Sequence, residues 1–347
     1  MKIHIICERD VGLFSLIQQV IAHVHWAEKT SRIPIVLFGD RCCYQVPGGY
    51  RSRDTVWEYY FEPLHPDHSV DSLSRETRSK ISNNFPLPGE PGFWLEKDIW
   101  VSNNFGDHPA LRGRSLVIPY GWRDPDRELR ARAARIFKEY VRPRAYISES
   151  VDDFQQRHMG DRPFIGVQIR GTDAISRQED RAHRKDSLSL EAYRAEIQGQ
   201  LESNPNAGIF VATDDERSYA FIKKHFGDRV VACESYRHVG GDAAGRGPTG
   251  WLMPAYIADD RELAARNGEE AVVEFLLLSR CSLLVHNGSS LARSVLLNMP
   301  EMPHVNTNRK NRLVAYLQTA SIKKFRRYVR QAIRRAPYLA RSYPPDE

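Results

Sequence analysis

Short continuous apolar runs alternate along this chain with stretches in which apolar residues recur every three or four positions. The opening run KIHII (2–6) predicts a buried strand. Phe14, Ile17, Val20, Ile21, Val24 and Ala27 then share one helical face, and IPIVLF (33–38) predicts a second strand. This is a β-α-β start, as in a doubly wound sheet. Residues 40–110 lose the regular pattern and gather aromatics in VWEYYFEPL and GFWLEKDIW. SLVIP (115–119) predicts a further strand. DPDRELRARAARIFKEYV (124–141) predicts a helix, with Asp124 at the N-cap and Pro125 in the first turn.

The second half is more regular. Strands are predicted at 164–169, 208–212, 229–232, 282–285 and 303–306, and helices at 188–202, 215–225, 267–280 and 289–298. Strands alternating with helices imply a mostly parallel sheet covered on both faces. A boundary is expected between Pro143 and Pro163, giving an N-terminal Rossmann-like domain over 1–150 and a second over 151–308. No internal repeat is evident at a period of about 20–50 residues.

Three predicted strands end abruptly in polar residues. FIGVQI is followed by Arg170-Gly171-Thr172-Asp173, GIFVA by Thr213-Asp214-Asp215, and SLLV by His286-Asn287-Gly288-Ser289-Ser290. Ligands of open parallel sheets bind at the carboxyl ends of the strands, so the three clusters are expected on one rim. Arg170 offers a fork of donors suited to a phosphate. Gly171 permits close backbone approach. Ser289 and Ser290 stand where a helix should begin, so their hydroxyls and the first-turn N–H groups suit an anion. Arg293, one turn on, adds charge. Together these residues form a candidate diphosphate site. Taken singly, Thr213, Asp214 and Ser289 read first as caps of the helices that follow, and Asp173 fits as a salt-bridge partner of Arg170.

Two other motifs are discounted. GRGPTG (245–250) matches GxGxxG but follows no immediate strand, contains Pro248 and opens no evident helix. It belongs to a glycine-rich loop, read as mobile and as a candidate lid. Asp124-Pro125-Asp126 matches the DxD pattern of metal-dependent sugar transferases but is expected to serve as a helix start.

Composition narrows the class. The 347 residues are 41% hydrophobic and 27% charged, enough for two cored domains. No apolar run approaches the roughly 18 residues of a membrane span, and the N-terminus lacks a signal-peptide pattern. Five cysteines without a CxxC pair point to a reducing cytosol and against zinc. The net charge of +6 is concentrated: residues 302–345 hold eleven Lys/Arg and no Asp/Glu, and taking those away leaves −5. Within this tail (309–347), Ile322, Phe325, Val329, Ala332, Ile333 and Ala336 share a helical face, while Lys323, Lys324, Arg326, Arg327, Arg330, Arg334 and Arg335 cover the rest. Two readings stand open: an interfacial helix on anionic lipid through 309–341, or a helix packed back on the first domain. Nucleic acid is not an expected partner, because the rest of the chain is acidic and the basic run has no aromatic platform.

GVQIRGTD, VATDD and LLSRCSLLVHNGSSLAR, in this order and spacing, resemble the three motifs of the α1,6-fucosyltransferase superfamily. That group spans rhizobial nodulation, core N-glycan and, more distantly, protein O-fucosyltransferases. The resemblance covers roughly 160–305. It implies an α/β fold of GT-B type, two Rossmann-like domains facing a cleft, with GDP-fucose as donor, inversion at the anomeric carbon, no cofactor and no required metal. It assigns Arg170 to the β-phosphate, Asp173 to support of the first motif, and Asp214 and Asp215 to ordering the donor loop. Ser289 and Ser290 would hold the diphosphate, and Glu274 would read the N1 and N2 edge of guanine. The expected base toward the acceptor hydroxyl is Glu179, one place off the family's register, with Asp180 beside it. Two departures stand out from the core N-glycan enzymes: Gln168 replaces a histidine, and Gly171 replaces a second arginine. The expected acceptor is a glycan or glycolipid of bacterial surface or signalling type, and the expected location is cytoplasmic, at the inner face of the membrane. The alternatives are a non-catalytic sugar-nucleotide or glycan-binding relative, a transferase using another nucleotide sugar, and a nucleic-acid or membrane adaptor led by the tail.

Overall fold

The computed structural model describes residues 2–9, 11–83, 92–103, 116, 118, 124–171, 189–239, 244–246, 248 and 252–307. The basic tail, Asp173, Glu179 and most of 104–123 lie outside the described residues.

The apolar runs of the first half build a sheet ordered β2-β1-β4-β3, from β1 (Ile3–Cys7), β2 (Ile33–Leu37), β3 (Phe93–Glu96) and β4 (Ile99–Ser102). β1 is parallel to β2 and β4, and its Ile5, Ile6 and Cys7 are wholly buried. The expected crossover helix is α1 (Leu13–Lys29). It is buried on nearly every side up to Ala27, because second-half helices cover the face away from the sheet. The stretch GFWLEKDIW, irregular by pattern, is an antiparallel β3-β4 hairpin. Leu116 and Ile118 of the predicted 115–119 strand are buried but belong to no strand.

The second sheet is wholly parallel, ordered β11-β10-β5-β6-β7: β5 (Phe164–Ile169), β6 (Gly208–Thr213), β7 (Val230–Val231), β10 (Leu283–His286) and β11 (His304–Asn306). All five strands lie where apolar runs placed them, and β5 and β6 are buried at every residue, as central parallel strands require. Part of the glycine-rich segment is strand rather than loop: β8 (Ala244–Arg246) pairs antiparallel with β9 (Leu252–Pro254). Of GRGPTG, Gly245 and Arg246 lie in β8.

After α2 (Val56–Tyr60) and α3 (Arg75–Asn83), helix α4 (Arg127–Tyr140) corrects the predicted helix start. Its N-cap is Asp126, whose carboxylate accepts from Leu129 N at 2.9 Å. Asp124 is instead drawn to Asn306, His286 and His304 of the second sheet. A residue with three tertiary partners is unavailable to cap. After α5 (Ala145–Phe154) come α6 (Leu190–Ser203), α7 (Glu216–Phe226), α8 (Ala255–Asp259), α9 (Arg261–Ser279) and α10 (Ser290–Asn298). The predicted 267–280 helix thus starts six residues earlier, at Arg261, capped by Asp260.

The two sheets share a continuous core. Phe14 of α1 packs on Phe275 of α9 at 5.3 Å, and Tyr60 Oη donates to Ala265 O at 2.8 Å. Arg130 of α4 is buried and donates to Leu296 O, Met299 O and Met302 O, satisfying carbonyls at the end of α10. Helix α10 is therefore fixed at its C-terminal end, while its N-terminus faces the sheet rim.

Candidate active site

Adjacency of β10, β5 and β6 creates the site. Gln168 lies in register with His286 on one side and Ala212 on the other, and Ile169 with Thr213. Residues 170–171, 214–215 and 287–290 therefore leave the sheet side by side, as the polar strand ends predicted.

Arg170 is held at both backbone and side chain. Its N–H donates to Asn287 Oδ1 at 3.3 Å, and its carbonyl accepts from Asn287 Nδ2 at 3.0 Å. Its guanidinium lies 3.3 Å from Asp214 Oδ2, with the Arg170 side chain 37% exposed and that of Asp214 only 12%. The carboxylate is tucked in and the cation reaches outward. The other Asp214 oxygen accepts from Gly171 N at 2.8 Å, so one carboxylate aligns both residues of the motif.

Gly171 is required by a neighbour. A Cβ there would lie 2.4 Å from Asp215 Cβ. Asp215, almost fully buried, caps α7, accepting from Ser218 N (3.0 Å) and Ser218 Oγ (2.6 Å). Thr213 Oγ1 accepts from Asp215 N at 3.3 Å. Thr213 and Asp215 are thus committed to building the turn that carries Asp214.

Ser289 caps α10, accepting from Ala292 N at 3.1 Å, and donates to Gln168 Oε1 at 2.7 Å. Ser290 Oγ meets Ser15 Oγ at 2.9 Å and accepts from Arg293 Nη2 at 3.2 Å. Arg293 is buried, its guanidinium turned to Ser290. Gln18 Nε2 donates to Ser290 O (2.7 Å) and Ser294 Oγ (3.0 Å), so the first half holds this helix start directly. The first-turn N–H groups of a helix have no acceptor within it and carry partial positive charge.

Glu274 of α9 is buried, and Ser235 Oγ donates to its Oε1 at 2.7 Å. Burial pushes its carboxyl up to about 7, against the Ser235 bond and Arg237, with Glu270 and Asp214 adding repulsion. Gln168, Arg170, Gly171, Thr213, Asp214, Asp215, Ser289, Ser290 and Arg293 thus gather at one rim, with Glu274 near enough to feel Asp214. Asn287, Ser15, Gln18 and Ser235 join them without having been singled out as site residues. The available signal for two of these was that Ser15 and Gln18 are polar positions in the first, mostly apolar turns of α1.

No family model matches the sequence, and no curated protein is similar to it at the sequence level. Solved structures are similar in shape. NodZ α-1,6-fucosyltransferase soaked with GDP-fucose superposes with a TM-score of 0.52 at 16% identity, over 86% of this chain and 94% of that one. Selenomethionine NodZ from Bradyrhizobium gives 0.53 at 16%, over 88% and 94%. POFUT1 in complex with GDP gives 0.50 at 12%, over 88% and 98%. The chain has the GT-B-like fold of these fucosyltransferases. The likeness spans both sheets, whereas the motif resemblance reached only the second.

Proposed function

We propose that the protein is an inverting, metal-independent glycosyltransferase that moves fucose from GDP-fucose to a hydroxyl of a glycan acceptor. The observation that carries this is the meeting of the Arg170–Asp214 pair and the Ser289–Ser290 helix start on one sheet rim. A fold shared with proteins crystallised with GDP and GDP-fucose supports it. As the sugar–phosphate bond breaks, negative charge grows on the diphosphate. Arg170, pre-aligned by Asp214, and the N-terminal N–H groups of α10 meet that charge with little reorganisation. Glu274, once ionised, is a two-oxygen acceptor for the N1 and N2 edge of guanine. Glu179 takes the acceptor's proton, Asp173 supports the Arg170 motif, and the first half presents the acceptor. The basic tail brings the enzyme to anionic membrane where a lipid-linked or surface glycan is assembled.

A donor with another base is favoured by one contact: Gln168, where the related core N-glycan enzymes carry a histidine, is bonded to Ser289. A panel of nucleotide sugars hydrolysed in EDTA separates the readings. GDP-fucose turnover, lost in Arg170→Ala with the fold intact, is expected. Absence of thermal stabilisation by every nucleoside diphosphate would rule out the donor site. Sedimentation with anionic liposomes, compared with a chain lacking 309–347, tests the tail.

A further inference from the structure

His286 ends β10 and is wholly buried, two residues before the turn into α10. Its Nδ1 accepts from Gly288 N at 3.0 Å. An accepting Nδ1 carries no proton, so the proton of the neutral ring sits on Nε2. Nε2 faces Asp124 Oδ1 at 3.8 Å. Asp124 is anchored in turn by Asn306 Nδ2 at 2.8 Å and lies 3.5 Å from His304 Nε2. Thr307 Oγ1 donates to His286 O at 3.1 Å and pins the strand end. Gly288 has φ +80°, a conformation available cheaply only to glycine. On one side of it Asn287 grips the Arg170 backbone, and on the other Ser289 opens α10.

We propose that His286 is a positioning residue that locks the Asn287–Ser290 turn and so sets how the N-terminus of α10 meets the donor diphosphate. This rests on the donor site proposed above. The ring holds the Gly288 amide and the amide fixes the turn, while Asp124 lies beside Nε2 but beyond hydrogen-bond reach. Burial holds the His286 imidazole down to about 4, so it stays neutral and keeps Nδ1 accepting at ordinary pH.

Asp124, His286 and His304 bring their ligand atoms within 4.8 Å of one another, a spacing that also suits a divalent cation. The Gly288 bond argues against one. A ligating Nε2 moves the ring proton to Nδ1, where it faces the Gly288 N–H at 3.0 Å, donor against donor. The Arg130 guanidinium, 3.5 Å from His304 Nδ1, adds unfavourable charge.

The test pairs a ligand-free measurement with two variants. In donor-free wild type, NMR should show a scalar coupling across the hydrogen bond between the Gly288 nitrogen and His286 Nδ1. His286→Asn places an amide oxygen near the Nδ1 position and should keep GDP affinity within about twofold, whereas His286→Gln, which reaches only the Nε2 position, should weaken it about tenfold. Equal weakening in both variants, or no coupling in wild type, would overturn the proposal. So would stoichiometric zinc binding lost in His286→Asn. If wild type binds no nucleoside diphosphate, the donor site fails while the coupling still judges the His286 contact. If His286→Gln does not fold, the wild-type coupling and the His286→Asn affinity decide.

Discussion

Asn287 clasps the backbone of Arg170 from a neighbouring strand, accepting from its N–H at 3.3 Å and donating to its carbonyl at 3.0 Å. One side-chain amide thus replaces two rungs of the β5-β10 ladder where the strands part. Asn287→Ala should cost roughly 1–3 kcal/mol of stability, because two sheltered backbone groups lose their partner. Asn287→Asp keeps the acceptor and should fall between wild type and alanine. Urea denaturation checks the order, and an alanine variant as stable as wild type would contradict it.

Arg170 should matter far more to turnover than to folding. Its guanidinium is partly exposed, so Arg170→Ala should cost less than about 1 kcal/mol of stability. Loss of a preorganised donor to developing charge should lower GDP-fucose hydrolysis by about 10²–10³. Lysine keeps charge without the fork and should restore only part of the rate. Asp214→Asn retains an acceptor for Gly171 N–H and should be milder than Asp214→Ala. Comparing hydrolysis rates with melting curves for the four variants tests this separation.

Gly171→Ala should destabilise through crowding. The added methyl would sit 2.4 Å from Asp215 Cβ, and Asp215 is fixed by its cap on α7. A cost of about 1–3 kcal/mol is expected, with weaker GDP binding as Asp214 shifts. Unchanged stability would mean that the Asp215 turn yields easily.

Glu8 and Glu274 give stability a pH dependence of definite sign. Burial raises both carboxyls from the ordinary 4.5 to about 7, so the folded chain holds these protons more tightly than the unfolded one. Their contribution is complete below about 4.5 and is lost as pH rises through about 7. His286, lowered from 6.5 to about 4, acts oppositely: its contribution is present above 6.5 and lost as pH falls through 4. Glu8→Gln and Glu274→Gln should each flatten the decline between pH 5 and pH 8 in thermal melts. Wild-type GDP affinity should rise over the same interval as Glu274 ionises, and that rise should vanish in Glu274→Gln.

Two arginines that join the halves should differ in worth. Arg130 is buried against three carbonyls, and Arg130→Met should cost about 2–4 kcal/mol by stranding them. Arg51 pairs with Glu269 at 2.8 Å, but its side chain is 50% exposed, so Arg51→Met should cost under about 1 kcal/mol. Chemical denaturation of both variants gives the comparison.

Much of the fold was legible because its signals are local. The apolar runs at 164–169, 208–212 and 282–285 became β5, β6 and β10, and their polar ends became the rim. The hairpin at 93–102 was missed because each strand is only four residues long and Trp94 faces solvent. The start of α9 was missed because RELAAR (261–266) offers only Leu263 and two small alanines among its charged residues. Gly268 further along lets Tyr60 approach: an added Cβ would lie 2.3 Å from Tyr60 Oη.

Hydrophobic periodicity by itself determined the strands and most of the helices of the second half, because burial of one face is written into spacing along the chain. It also determined that Arg170, Asp214 and Ser289 each follow a strand. Strand order was decided only by tertiary structure, and with it the meeting of residues 117 positions apart in the Asn287–Arg170 clasp. The same holds for Asp124, a helix cap by local pattern and a partner of Asn306 in the fold. A short polar side chain bonds to whichever donor or acceptor packing brings within about 3 Å. That neighbour is set by the assembled layers, not by the residues beside it in sequence.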